Sequence, residues 1–154
     1  MILNRQKKVR LAEQSLAKFL GEILQELNIA EAEVSVGFVS DSEIAKWNQR
    51  FRGKKGPTDV LSFPALSRRR VARHRRAKSL PGMQRGSGVD FLGDVAIAPE
   101  TARRYAKKNG RTLDAELRVL MLHGVLHLMG YDHLTDTGQM DRIEQELRRK
   151  FGIA

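Results

Sequence analysis

Three of the four histidines of the chain lie within eleven residues, as His123, His127 and His133. Residues four apart on a helix share one face with their Cβ atoms about 6 Å apart, so His123 and His127 could hold one metal ion. Gly130 favours a helix end after them, because glycine reaches the left-handed backbone conformation cheaply. His133 could then fold back to the same ion. Three imidazoles leave the fourth tetrahedral position of Zn²⁺ to water, so the pattern predicts a catalytic zinc site with one ion per chain.

The spacing of these histidines and the glycine matches the long zinc motif of the metzincin peptidases with one difference. Those peptidases carry their general-base glutamate directly after the first histidine, where this chain has Gly124. The spacing alone would suggest a metzincin-like zinc metallopeptidase, and the missing base counts against it. A non-enzymatic ribosome-binding domain in which zinc only stabilises the fold is a further alternative.

Composition narrows the class of protein. The length of 154 residues and a hydrophobic content of 41% predict a single globular domain over residues 1–154. The absence of cysteine excludes disulfides and thiolate metal sites and fits a reducing compartment. The N-terminus becomes polar too early for a signal peptide, and the most apolar stretch is too short to span a membrane. The sequence therefore predicts a cytoplasmic protein.

Positive charge is concentrated in one segment. The net charge of +10 suggests a polyanionic partner. Residues 67–88 contain no acid and eight basic residues: Arg68, Arg69, Arg70, Arg73, Arg75, Arg76, Lys78 and Arg85. We expect a mobile loop here, and we predict that its first six arginines bind RNA phosphates. The alternative is a solvated surface loop without a role.

Hydrophobic periodicity predicts an α+β fold. The predicted strands cover residues 2–3, 33–39, 60–63 and 89–98, and the predicted helices cover residues 7–27, 40–50, 99–108, 113–129 and 138–150. Ser40 and Glu43 form a capping box at the start of the second helix. Trp47 on that helix is expected to pack in the core. Gly93 inside a strand predicts a bulge or a close approach by another backbone.

Three blocks of sequence together resemble the YbeY family, which consists of bacterial single-strand-specific endoribonucleases that act in ribosomal RNA maturation. The blocks are His123 to His133, Phe51 to Pro64 and Leu92 to Ile97. The resemblance implies a small, mostly parallel or mixed sheet of about four strands packed with about five helices. It also implies a metzincin-like zinc helix, zinc bound by the three histidines, and Arg52 at the active site.

The same resemblance implies the substrate and the partners. The substrate would be single-stranded RNA. The protein would act in maturation of the small-subunit rRNA 3′ end and in ribosome quality control. The ribosome or small-subunit proteins would be partners, and DNA would not be a substrate. The basic stretch at 67–88 looks longer than the usual connection in the family, so its role in substrate handling does not follow from the resemblance.

The candidate residues suggest how a phosphodiester could be cleaved. Zinc lowers the pKa of its bound water to about 7, which supplies hydroxide at neutral pH. The guanidinium of Arg52 could meet two phosphoryl oxygens as negative charge builds on them. Asp132 could move the proton or orient the imidazole of His133. Asp59 and Asp94 could face the cleft or serve as turn anchors. The nucleophile could be water or the RNA 2′-hydroxyl.

Overall fold

The structure, a computed structural model, describes residues 1–65, 91–132 and 137–153. His133 and the basic segment from Arg68 to Arg76 therefore lie outside the described residues. The zinc-ligand role of the first and the RNA-binding role of the second remain predictions.

A mixed four-stranded sheet forms the centre of the fold, in the order β1-β2-β4-β3. The strands are β1 (Ile2–Asn4), β2 (Glu33–Phe38), β3 (Val60–Pro64) and β4 (Phe91–Ile97). The pairs β1–β2 and β2–β4 are parallel, and β3 runs antiparallel to β4. The predicted α+β class with a mixed sheet is confirmed.

Five helices occupy the described ranges: α1 (Glu13–Glu26), α2 (Asp41–Arg52), α3 (Pro99–Lys108), α4 (Leu113–Leu128) and α5 (Gln139–Lys150). The capping box is confirmed, because the backbone N–H of Glu43 donates to Ser40 Oγ at 3.2 Å. The prediction that the first helix begins near residue 7 is wrong. The Gln6 side chain donates to the carbonyl of Val9 and accepts from its N–H, both at 2.9 Å, and this closed turn precedes the helix.

Helix α4 is buried on almost every side because it packs against the sheet, α1, α3 and α5. Leu122, Val125 and Leu126 are fully buried. His123 and His127 interrupt this run as half-buried residues, so solvent reaches the second half of the helix along the strip that they occupy. No helix within the described ranges combines the length and apolar character needed to span a bilayer.

Helix α2 covers part of the opposite face of the sheet. Its Ile44 is fully buried in a cluster with Val39, Leu61 and Ala96. Trp47 packs edge-on against Phe63, with ring centroids 6.1 Å apart. The predicted packing role of Trp47 is confirmed in part, because the side chain is half-buried and also lines an open groove.

Gly93 lies where β4 passes very close to β3. Its φ is +140°, and a Cβ there would come within 2.3 Å of the carbonyl oxygen of Phe63. The pairing with β2 shifts at the same point, since Glu33 pairs with Phe91 and Val34 with Gly93. Both the bulge and the close approach predicted from the sequence are confirmed.

Candidate active site

The two described histidines of the motif present nitrogen atoms to a common point. The Nε2 atoms of His123 and His127 are 3.1 Å apart. Two nitrogen ligands of one tetrahedral zinc, each about 2.0–2.1 Å from the ion, would be separated by about 3.3 Å. The paired rings on successive turns of α4 therefore have a spacing that fits one bound ion.

Glu144 on α5 holds the first of these rings. Its Oε1 lies 2.8 Å from His123 Nδ1, and both side chains are largely buried. A carboxylate behind an imidazole fixes the ring orientation and tautomer and leaves Nε2 available to a metal. Sequence reasoning missed Glu144, because it lies 21 residues from its partner on another helix and no local spacing relates the two.

The described ranges contain no group of three or more side chains that could hold a metal ion. The third predicted ligand, His133, is outside those ranges, and so the complete zinc site remains a prediction. Asp132 immediately precedes it and is half-buried. The predicted roles of Asp132 in proton transfer or ring orientation are likewise untested.

The histidines open onto a cleft of about 470 Å³. The remaining wall comes from the end of α2, the following loop and β3, namely Phe51, Arg52, Thr58, Asp59, Val60, Leu61, Ser62 and Phe63. Strand β3 sits directly on α4, since Ser62 Oγ lies 3.4 Å from the carbonyl oxygen of Gly124. The block from Phe51 to Pro64 and the histidine block thus meet at one cavity.

Arg52 reaches this cleft because α2 ends there. Gly53 ends the helix in the left-handed conformation with φ +65°, and its N–H donates to the Gln49 carbonyl. The buried side chain of Asn48 donates to the carbonyl oxygen of Gly56 at 2.9 Å and ties the loop back to the helix. Arg52 is exposed, and no acid in the described part of the chain forms an ion pair with it.

Asp59 and Asp94 lie on different faces of the structure. Asp59 lines the histidine cleft, whereas Asp94 lines the groove on the opposite face of the sheet. Burial raises the pKa of Asp59 above its usual range, and the nearby Glu116 carboxylate acts in the same direction. The N–H groups of Asp59 and Val60 and the Thr58 hydroxyl donate to the carboxylate and partly oppose the shift.

Asp59→Asn should stabilise the metal-free protein at pH 7. Since the pKa of Asp59 is raised in the folded state, folding favours its protonated form, and stability falls as pH rises from 3.8 through the folded pKa. Each pH unit by which folding raises the pKa of this carboxyl lowers the free energy of unfolding at neutral pH by about 1.4 kcal/mol. Thermal melts with a chelator should show the variant above wild type at pH 7 and level with it well below pH 3.8.

The exposed Asp114 offers a control, because its side chain pairs with Arg118 on the surface of α4. Asp114→Asn should not raise the melting temperature at pH 7. An Asp59→Asn protein less stable than wild type at pH 7 would contradict the assignment of burial as the dominant influence.

Gly124, at the position of the peptidase glutamate, is packed against the sheet. A Cβ at this position would lie 2.6 Å from Val95 Cγ1 and 2.9 Å from Cγ2, closer than real Cβ atoms approach. Val95 is fully buried in β4. A glutamate side chain therefore has no room here. The position of the peptidase base can hold only glycine without a change in the packing against Val95.

The fold and the cleft define a small α+β domain, built on a mixed sheet with paired imidazoles and an arginine lining one cleft. The sequence profile of the family Endoribonuclease YbeY matches residues 1–152. The chain belongs to this family.

Curated relatives carry the same description. Endoribonuclease YbeY of Koribacter versatilis is 39% identical over 154 residues, covering 99% of this chain and 86% of that protein. The Francisella philomiragia protein of the same name is 35% identical over 141 residues, covering 90% and 82%. A solution structure of a Thermotoga maritima protein superposes with a TM-score of 0.57 at 27% identity, covering 98% of this chain and 91% of that one.

Proposed function

We propose that this protein is a zinc-dependent endoribonuclease that cleaves single-stranded RNA during ribosomal RNA processing. The observation that carries the proposal is the convergence of His123 Nε2 and His127 Nε2 to 3.1 Å in the cleft that Arg52 also lines. Membership of the endoribonuclease YbeY family supports RNA as the substrate.

Different residues of the cleft would bind the metal ion and the phosphate of the substrate. His123, oriented by Glu144, and His127 would hold the ion, with His133 as the third ligand. A bound zinc ion supplies Lewis acidity and lowers the pKa of water to about 7. The planar guanidinium of Arg52 would donate two hydrogen bonds to the phosphoryl oxygens, where negative charge accumulates.

Asp59 is our candidate for the group that moves a proton. Its raised pKa brings protonated and ionised forms closer to balance near neutral pH, as acid–base catalysis requires. It lines the same cleft as the two histidines. Asp132, the predicted catalytic acid or base, would then serve as the partner of a histidine ring.

The cellular setting is a further part of the proposal, and membership of the endoribonuclease YbeY family supports it. We place the protein in the cytoplasm, with rRNA precursors as substrate, maturation of the small-subunit rRNA 3′ end as the reaction and ribosome quality control as a related task. The six arginines between Arg68 and Arg76 would bind phosphates of the same RNA. The ribosome or its small-subunit proteins would be the partners, and DNA would not be cleaved.

The metallopeptidase alternative is disfavoured by the contact between Gly124 and Val95. A panel of substrates tests the proposal: single-stranded RNA, the same RNA in a duplex, single-stranded DNA and a casein digest, each with zinc and with a chelator. We expect zinc-dependent cleavage of the single-stranded RNA alone. Zinc-dependent cleavage of the peptides with the RNA left intact would replace the proposal by the peptidase alternative.

A further inference from the structure

A second cavity lies on the face of the sheet opposite α4. This groove has a floor of small residues, since Ser35 and Gly37 of β2 lie beside Ala96 of β4. No atom lies within 4 Å of the place where a Cβ on Gly37 would be. Trp47 and Phe51, one turn apart on α2, form an aromatic wall. The groove is therefore an open trough with aromatic side chains along one side.

Phe51 and Phe63 line both this groove and the histidine cleft. Their rings meet edge to face with centroids 5.4 Å apart and form the ridge between the two cavities. Phe51 is 58% exposed, which is unusual for a large apolar side chain in a folded domain. The histidine cleft and the groove are therefore neighbours on either side of this ridge.

The charges beside the ridge suit a polyanion. Arg52 lies at the cleft end, and the guanidinium of Arg50 sits 5.4 Å from the Phe51 ring centroid. Arg5 lines the far part of the groove, where it pairs with Glu43. Asp94 adds a carboxylate to the floor, which would repel a phosphate and accept hydrogen bonds from base N–H groups. Phosphates would therefore follow the arginines while a base enters the trough.

We infer that the groove is a nucleotide subsite, in which an unpaired RNA base next to the cleaved phosphate stacks on Phe51. The inference rests on the proposed function and deepens it. Bases stack on aromatic side chains without strong sequence preference, and only an unpaired base can leave its helix to do so. The subsite thus provides a residue-level reason for preferring single-stranded over duplex RNA.

Trp47 gives the experiment a readout that does not depend on cleavage. It is the sole tryptophan of the chain and lines the groove. Titration of the chelator-treated full-length protein with a single-stranded 2′-O-methyl RNA, which resists cleavage, should quench its fluorescence. The matching duplex should quench it far less. A titration with single-stranded RNA that leaves the Trp47 emission unchanged would overturn the inference.

Variants of Phe51 separate stacking from apolar packing. Phe51→Leu keeps apolar area and removes the ring face, so affinity for the 2′-O-methyl RNA should fall about 5-fold or more, while Phe51→Trp should retain wild-type affinity. Tyr105→Leu, at a 44% exposed aromatic of α3 that lines neither cavity, is the control and should bind as wild type does. In cleavage assays, Phe51→Leu should raise KM more than it lowers kcat.

The outcomes distinguish the subsite from the proposed function. If wild type cleaves single-stranded RNA and Phe51→Leu binds and cleaves it as wild type does, the subsite is wrong and the nuclease stands. If wild type fails to cleave RNA and Phe51 variants still weaken the quenching of Trp47, the subsite stands and the catalytic proposal fails.

Discussion

Replacing His127 by alanine should abolish zinc-dependent RNA cleavage and leave a folded protein. The ring of His127 supplies one of two nitrogen atoms that lie 3.1 Å apart in the cleft. Altering a group behind a metal ligand typically lowers metal affinity about 10- to 100-fold, and removing the ligand itself should lower it further. Competition with a chromophoric chelator measures the zinc affinity, and cleavage of an end-labelled single-stranded RNA measures the activity.

Two further variants make this prediction specific. Glu144→Gln keeps the side-chain shape and weakens the contact to His123 Nδ1, so its zinc affinity should fall by the intermediate factor of about 10 to 100. His74→Ala changes the one histidine outside the motif and should retain the zinc affinity of wild type. Full cleavage by His127→Ala in the presence of a strong chelator would contradict the assignment of the cleft as the catalytic site.

Gly124→Ala should destabilise the protein although alanine is the better helix former. Overpacking a filled core costs about 1–3 kcal/mol, whereas the gain in helix propensity is about 1 kcal/mol. Because the added Cβ would lie 2.6 Å from Val95 Cγ1, the packing cost should exceed the gain and the melting temperature should fall by several degrees. Thermal and urea unfolding measure the change.

Gly21 provides a control with the same substitution in another helix. No atom lies within 4 Å of a Cβ on Gly21 in α1, so Gly21→Ala should raise stability by about 0.5–1 kcal/mol. Val95→Ala and Gly124→Ala together should destabilise the protein by less than the sum of the two single changes. The added Cβ at position 124 would partly fill the cavity left by Val95→Ala, and that cavity would relieve the overpacking. A Gly124→Ala protein as stable as Gly21→Ala would show that the contact can relax freely.

Local sequence patterns predicted most of the helices and strands of the fold. Pro99 in the first turn and Gly110 after the last turn predicted α3 at its observed bounds, and Ser40 and Glu43 located the start of α2. The start of α1 was misplaced because the turn that delays it depends on hydrogen bonds between Gln6 and Val9, which no periodicity reports. Strand order was likewise beyond the pattern, since β4 inserts between β2 and β3.

The candidate site was likewise predictable only where its residues are close in the sequence. The spacing of His123 and His127 on one helix predicted their convergence, because helical geometry is local. The roles of Glu144 and Asp59 depend on contacts between distant elements and were missed or left open. The reason for glycine at position 124 was also invisible in the sequence, because Val95 is the neighbour that requires it.

We propose that one zinc ion binds three imidazoles and keeps one position open to solvent. X-ray absorption at the zinc edge, recorded on protein loaded with one equivalent of zinc, measures this directly. We predict three imidazole nitrogens about 2.0–2.1 Å from the ion and one solvent oxygen, with one imidazole fewer in His133→Ala. A wild-type spectrum with two or fewer imidazoles, or one unchanged in His133→Ala, would contradict it.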